Sequence, residues 1–390
     1  MTWSRRHQFF LTAGFLAAIC AVGLVQAGIE LAQGQRPQVL DLFTQSPTAE
    51  HLRSFENDLQ TGSWFARTLR PPMQYLRFLA LNDVGTKALL GRGGWWFYRQ
   101  DARYLIERCP DDPAAKTGPQ AAVAAIVSFR DQLARRGIHL LVIPVPGKPS
   151  IYSDMLTRRA AACDPRVREH TRSVLADLAA AGVETVDLFE AFAEARAASR
   201  SSDAGAWYLI RDTHWTNGGA SLAAETVARR IRSLGWAPDG QVRYDVQPTV
   251  VRRPGDVLRM LQCPPTEALY QPQEVQCERV VRQDDGKPYR DDPGSPILVL
   301  GDSFLRIYER DEPGSAGFIA HLARELSQPL ASIVNDGGAS TLVRQELARK
   351  SGLLAGKSLV IWEFVERDIR FGMEGWQDVP LPGPVSSTSN

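Results

Sequence analysis

The chain has 390 residues, 44% hydrophobic and 23% charged, a mix that builds a globular core and excludes collagenous, disordered and polytopic membrane proteins. Forty-five basic against 44 acidic side chains leave a net charge of +1, so no global field recruits nucleic acid, and no nucleic-acid partner is expected.

The N-terminus sets the compartment. Arg5, Arg6 and His7 precede Phe9–Val25, an uncharged run in which Thr12 is the one polar side chain. About 20 such residues span a bilayer, and the basic flank keeps the N-terminus cytoplasmic. Residues 1–30 are expected to be a cytoplasmic stub and signal anchor, uncleaved because Val25-Gln26-Ala27 is a poor cleavage site. The rest of the chain is then exported. Beyond Cys20 lie Cys109, Cys163, Cys263 and Cys277, without C-x-x-C spacing. In an oxidising compartment they predict two disulfides, Cys109–Cys163 and Cys263–Cys277.

Residues 31–85 read as a helical stalk, with helices around Ala49–Leu59 and Met73–Leu81. Gly91–Tyr98 is a glycine-rich turn running into an aromatic strand, and from there the pattern alternates. Helices are predicted over Gln120–Arg136, Pro165–Ala181, Gly218–Leu234, Phe318–Leu326 and Leu342–Lys350. Strands are predicted over His139–Val145, Glu184–Leu188, Ile297–Leu300, Ala331–Val334 and Ser358–Phe364. Near-continuous apolar strands between amphipathic helices predict an α/β fold, a doubly wound, mostly parallel sheet, over residues 86–379. Nine prolines interrupt residues 236–296, which are expected to be an irregular, disulfide-stapled insertion; 380–390 is expected to be a flexible tail.

In an open α/β sheet ligands bind beyond the carboxyl ends of the strands. The apolar strand ending at Leu300 runs into Gly301-Asp302-Ser303-Phe304, which places Ser303 on a strand-to-helix turn. A serine there serves as nucleophile and backbone oxyanion donor, or simply as a helix cap. A nucleophilic serine needs a base. Of six histidines, His214 alone lies in a loop that follows an apolar segment and opens a helix, Asp212-Thr213-His214-Trp215-Thr216-Asn217-Gly218-Gly219. Asp212, two residues before it, is spaced to orient the imidazole. Asp212, His214 and Asp302 as a metal site would leave Ser303 without a role, so no metal is expected. Gly352–Ser358 imitates a phosphate loop with the wrong spacing and reads as a helix-ending turn.

A G-D-S turn paired with a D-x-H loop resembles the SGNH hydrolase superfamily. Here the loop precedes the serine, a permuted order that resembles the AlgJ/AlgX family of alginate O-acetyltransferases, as do Gly94-Trp95-Trp96-Phe97-Tyr98, Ile143-Pro144-Val145-Pro146-Gly147-Lys148 and Trp362-Glu363-Phe364-Val365-Glu366-Arg367-Asp368. With no carbohydrate-binding module after the last strand, the AlgJ-type member is the nearer likeness. The block reads Gly-Asp-Ser-Phe rather than Gly-Asp-Ser-Leu. The resemblance implies an O-acetyltransferase acting on an exported polysaccharide through an acetyl-Ser303 intermediate, with His214 as base and Asp212 as its orienter. It implies oxyanion donors at Ser303 and in the turn Asn335–Gly338, a sugar contact at Trp215, and uronate contacts at Arg306 and Arg367. It implies no cofactor, a periplasmic location held at the inner membrane, and as partners a membrane-bound O-acyltransferase and other polysaccharide acetylation and export proteins. An SGNH-type acetylesterase and a non-catalytic export scaffold are the alternatives.

Overall fold

The computed structural model describes residues 5–43, 48, 52, 55, 58, 62–108, 116–159, 169–198, 207–237 and 240–382. Two units are distinguished: residues up to Asp83 with Gln262–Leu269, and Val84–Leu261 with Tyr270 onward. In the first, α1 (Arg5–Ala32) contains the apolar stretch Phe9–Ala32, long and apolar enough to cross a membrane. Helix α2 (Trp64–Leu81) starts well before the expected Met73. Most of the expected helix over Ala49–Leu59 lies outside the described residues.

In the second unit, β1 (Ala88–Leu90) and β2 (Trp96–Tyr98) form an antiparallel pair around the glycine-rich turn. Helices α3 (Arg99–Ile106) and α4 (Pro119–Ala134) lead into β3 (His139–Val145). Then follow α5 (Glu169–Ala180), β4 (Glu184–Thr185), α6 (Leu188–Ala198), α7 (Asn217–Leu234), β5 (Tyr244–Arg253), β6 (Gln273–Arg282), β7 (Ile297–Gly301), α8 (Phe318–Leu326), β8 (Ala331–Val334), α9 (Leu342–Arg349) and β9 (Leu359–Val365). The central sheet is parallel, in the order β4-β3-β9-β7-β8.

Its strands are apolar throughout because both faces are covered. Leu141, Ile143, Val299 and Ile361 belong to one core with α7 and α8. Their neighbours Leu140, Val142, Leu300, Val360 and Trp362 belong to the other, with α4, α5 and α9. Val186 donates its N–H to Val142 just beyond β4, but Leu188 already starts α6, which shortens the strand expected over Glu184–Leu188.

Three expectations are corrected. Residues 236–296 are not irregular: β5 and β6 pair over ten residues, with Val251, Val275, Cys277 and Val280 in the core. Pro248 sits within this ribbon because both of its strands are edge strands, where a missing N–H is tolerated. Cys263 and Cys277 form no disulfide; both thiols are free and buried. Cys263 Sγ faces the Pro71 carbonyl at 3.4 Å and accepts from the Thr266 hydroxyl at 3.3 Å, whereas Cys277 lies in the sheet-side core, where burial pushes its thiol up to about 12. Cys109 and Cys163 lie outside the described residues. The chain from Val379 to Pro382 is not frayed: Gln132 of α4 and Arg136 just beyond it bond Val379 O and Leu381 O, and Leu381 N–H donates to Gln132 at 2.6 Å. Residues 383–390 lie outside the described residues.

Candidate active site

The site forms at the carboxyl end of β7. Gly301 ends that strand because a Cβ there would collide with the Glu363 carboxylate and Leu305. Glu363, on neighbouring β9, accepts the Asp302 N–H at 3.0 Å. Asp302 in turn caps the short helix Ser303–Arg306, its Oδ1 accepting Phe304 N–H at 2.9 Å. Ser303 is half-buried at the turn, and among the described residues its N–H has no acceptor.

The partner loop is closed by a bridge between Tyr208 and Trp215 and by Leu209 N–H donating to His214 O at 3.1 Å, which sets Asp212, Thr213 and His214 at its tip. His214 Nδ1 lies 2.6 Å from Asp212 Oδ1 and Nε2 lies 2.8 Å from Ser303 Oγ. With the proton on Nδ1, the ring donates to Asp212 and accepts from the serine hydroxyl. Burial is the largest influence and opposes charging His214, but the bond to Asp212 together with the Asp212 and Asp256 charges outweighs it and raises its pKa. Burial is likewise the largest influence on the Asp212 carboxylate; the two hydrogen bonds from His214 together with the His214 and Arg253 charges outweigh it, and Asp212 is held well below the usual carboxylate range. Phe304, the departure in the G-D-S-F block, packs its ring 4.9 Å from His214 and 5.0 Å from Trp215.

A second carboxylate stands beside this chain. Gly255, at φ +99°, lets the backbone approach Arg211 so closely that a Cβ would strike its carbonyl. Asp256 follows. Its N–H donates to Asp212 Oδ2 at 3.0 Å, and its carboxylate accepts the Thr213 N–H at 2.7 Å and hydroxyl at 2.6 Å. Burial and the Asp212 charge push Asp256 up to about 6. Asp212, His214 and Asp256 group together as metal ligands would, but both ring nitrogens of His214 are already bonded to Asp212 and Ser303. Asp302, the third member of the metal set weighed from the sequence, is turned to its capping bond instead.

Lys148 holds the loop from behind. Fully buried, its ammonium donates to the carbonyls of Trp96, Leu209 (3.0 Å), Ile210 (3.1 Å) and Asp212 (2.6 Å). Three N–H donors serve four acceptors, so the site is saturated. Burial pulls Lys148 down to about 8, against the raising influence of Asp212, Asp256 and Asp101. Glu366 fixes the turn that carries it, accepting Gly147 N–H and Thr171 Oγ1 at 2.7 Å each and the Ser150 hydroxyl. The aromatic, I-P-V-P-G-K and W-E-F-V-E-R-D motifs thus converge on the backbone behind the Ser303–His214–Asp212 chain.

The expected substrate residues fare differently. Trp215 is wholly buried among Phe192, Phe304 and Phe318, which leaves no face for a sugar. Arg367 is not presented to a ligand: its side chain is 12% exposed, pairs with Asp101 at 2.8 Å and lies over the Tyr98 ring. Around it burial and the Asp302 charge push Asp368 up to about 8, and burial pushes Glu363 well above the usual carboxylate range. The N–H groups of Asn335 and Gly338 are spent on Gly301 O and Asn335 O, which leaves the Asn335 side-chain amide as one remaining donor of that turn. Arg306 does line the cleft, bonded to Asp311 and to Asp336 at 2.9 Å.

That cleft, about 380 Å³, opens over Asp212 and His214 and is walled by Arg252, Arg253, Arg259 and Arg306 with Asp311 and Glu312. Arg253 pairs with Asp311 at 3.5 Å and Arg252 with Glu274 at 2.8 Å. Arg259 is exposed and, among the described residues, has no side-chain partner. Lys148, Asp256, Arg259 and the role of Glu363 were not read from the sequence. Glu363 left a trace there, a lone acid inside a buried apolar strand.

A parallel sheet carrying a G-D-S turn and a D-x-H loop at its carboxyl edge defines an SGNH-hydrolase-like α/β protein. The chain belongs to the ALGX family, described as "SGNH hydrolase-like domain, acetyltransferase AlgX", whose model matches residues 88–366. It is 28% identical over 254 residues to the "Probable alginate O-acetylase AlgJ" of Azotobacter vinelandii, covering 63% of this chain and 61% of that protein, less than two thirds of the relative's length. The protein of that name from Pseudomonas aeruginosa is 26% identical over 75% of this chain and 73% of its own. In structure the chain is similar to the O-acetyltransferase domain of Pseudomonas putida AlgJ, with a TM-score of 0.57 at 22% identity over 72% of this chain and 91% of that one. It is also similar to Pseudomonas aeruginosa AlgX, with a TM-score of 0.53 at 18% identity over 71% and 61%.

Proposed function

We propose that the chain is an O-acetyltransferase that acetylates an exported polysaccharide, alginate by analogy with its relatives, through an acetyl-Ser303 intermediate. The observation that carries this is the buried hydrogen-bonded chain Asp212–His214–Ser303, with both contacts under 3 Å. His214 Nε2 takes the Ser303 proton as Oγ attacks the acetyl carbonyl, and Asp212 steadies the resulting imidazolium. The oxyanion faces the unspent Ser303 N–H and the Asn335 side chain. Collapse releases the donor's oxygen with the proton from His214. A sugar hydroxyl then gives its proton to His214 and attacks acetyl-Ser303, which forms the sugar ester and restores the serine.

Arg259 is the cation of the cleft wall available to a uronate carboxylate, with Arg306 held beside it. Acetyl donors such as acetyl-CoA are cytosolic, so with α1 as a membrane anchor and the domain in the periplasm, a membrane-bound O-acyltransferase would supply the acetyl group. Mass spectrometry after incubation with an acetyl donor tests the intermediate: an acetyl adduct on Ser303 is expected, and its absence under turnover overturns the mechanism. With polymannuronate present, acetylated polymer identifies a transferase, whereas acetate alone identifies an esterase.

A further inference from the structure

We propose that α2 lies on the bilayer surface as a second, interfacial membrane anchor. The proposal rests on the reading of α1 as membrane-spanning.

Helix α2 has two apolar sides and only one of them is packed. Phe78 is buried, and the turn Pro264–Glu267 packs on that side, where Cys263 meets the Pro71 carbonyl. On the other side Phe65, Leu69, Pro72, Leu76 and Leu79, spaced by threes and fours, form one stripe. Phe65, Leu69, Leu76 and Leu79 are 42–58% exposed. A contiguous apolar stripe of this length on a soluble surface needs an occupant.

The bilayer is the occupant that its surroundings favour. Arg70 and Arg77 lie beside the stripe, Arg67 lies opposite it, and α2 contains no acidic residue, the composition of a helix that sinks its apolar face beneath anionic headgroups. Trp64, a residue type favoured at membrane–water interfaces, opens the helix, and its N–H donates to Gln26 Oε1 of α1 at 2.7 Å. Gln26 also bonds Glu30 at 2.7 Å, and Glu30 accepts the Gln38 N–H at 2.9 Å. These polar side chains mark the end of the uncharged run of α1, where a spanning helix leaves the hydrocarbon. The start of α2 is thus tied at headgroup level, with its apolar stripe unpartnered among the described residues.

The test uses the full chain in vesicles of phosphatidylethanolamine and phosphatidylglycerol, with p-benzoylphenylalanine replacing Phe15, Arg67, Leu69 or Leu76 singly. Photolysis is followed by mass spectrometry of the adducts. Leu69 and Leu76 are expected to give acyl-chain adducts roughly fivefold or more above Arg67 on the opposite side, because an interfacial helix sinks its apolar face about 5–10 Å into the acyl boundary. Phe15 reports α1. Lipid adducts at Phe15 with none at Leu69 and Leu76 overturn the proposal and leave the spanning helix intact. Cross-links from Leu69 or Leu76 to a second copy of the chain, or equal labelling at Arg67, also overturn it. A Phe15 probe without lipid adducts removes the anchor and the proposal together.

Discussion

The backbone behind Ser303 and the cleft in front of it use charge in opposite ways. Behind, Lys148, Glu363, Glu366 and Arg367 are buried or nearly so, and each is bonded to main chain or to another ion. In front, Arg252, Arg259 and Arg306 meet water, and Arg259 has no side-chain partner among the described residues. Buried charges cost several kcal/mol to desolvate and persist where every donor and acceptor is satisfied, so they hold geometry. Exposed charges are screened and weakly held, and they are free to meet a ligand. Changes behind the serine should therefore alter turnover of any ester, whereas changes in front should alter only the capture of anionic polymer.

The largest expected effect is at the centre. Ser303→Ala should lower kcat on a chromogenic acetyl ester by about 10⁴-fold or more, as loss of a nucleophile does elsewhere; a variant that keeps substantial turnover would remove Ser303 from the chemistry. Next is Lys148→Met, which takes the ammonium from the buried carbonyls of Trp96, Leu209 and Asp212, while Ile210 O keeps the Trp96 N–H. It should lower unfolding stability by about 3 kcal/mol or more, given 1–3 kcal/mol for each unsatisfied buried group, and reduce kcat with every substrate. Urea unfolding together with kinetics reads both, and an unchanged midpoint would show that the loop holds itself.

The front of the site is probed by Arg259→Ala. KM for polymannuronate should rise about three- to fivefold, the worth of one exposed charge contact, with kinetics on a neutral ester unchanged. Added salt should mimic the substitution in the wild type, and an equal loss on the neutral ester would place Arg259 with the support rather than the cleft.

A pH profile separates the two carboxylates near His214. His214 acts as base only when neutral, and both Asp212 and Asp256 raise its pKa, so the acid limb of kcat/KM should lie above the ordinary histidine value. Asp256→Asn should move that limb to lower pH, leaving the variant a larger fraction of its own maximum in mild acid than the wild type retains. A shift to higher pH would contradict the assigned charge coupling. The smallest effect belongs to Glu363→Gln. Burial pushes that carboxyl well above the usual carboxylate range, and an amide oxygen can still accept the Asp302 N–H, so kcat should stay within about twofold, the scale of a substitution that preserves a buried hydrogen bond. A large loss would mean that the charge itself matters.

The strands and most helices were legible because their periodicities are local: a buried parallel strand is apolar at every position, and α8 was read at both its ends. The long ribbon was not legible, because prolines argue against strands generally and cannot reveal that both partners are edges. Ser303 and His214 could be read from a strand-end turn and by elimination among six histidines. Trp215 and Arg367 misled because residue type suggests a ligand contact while burial forbids it.

Local composition therefore determined the apolar N-terminal helix, the covered parallel sheet and the residues able to form the hydrogen-bonded chain Asp212–His214–Ser303. Tertiary structure alone decided that the last strand, β9, lies at the centre of the sheet between β3 and β7, so that Glu363 reaches the Asp302 N–H from a strand sixty residues away in sequence. It also decided that Lys148 meets the carbonyl of Asp212 and that Asp256 buttresses His214. These contacts depend on desolvation and on distances between remote segments, neither of which is encoded in the spacing of neighbouring residues.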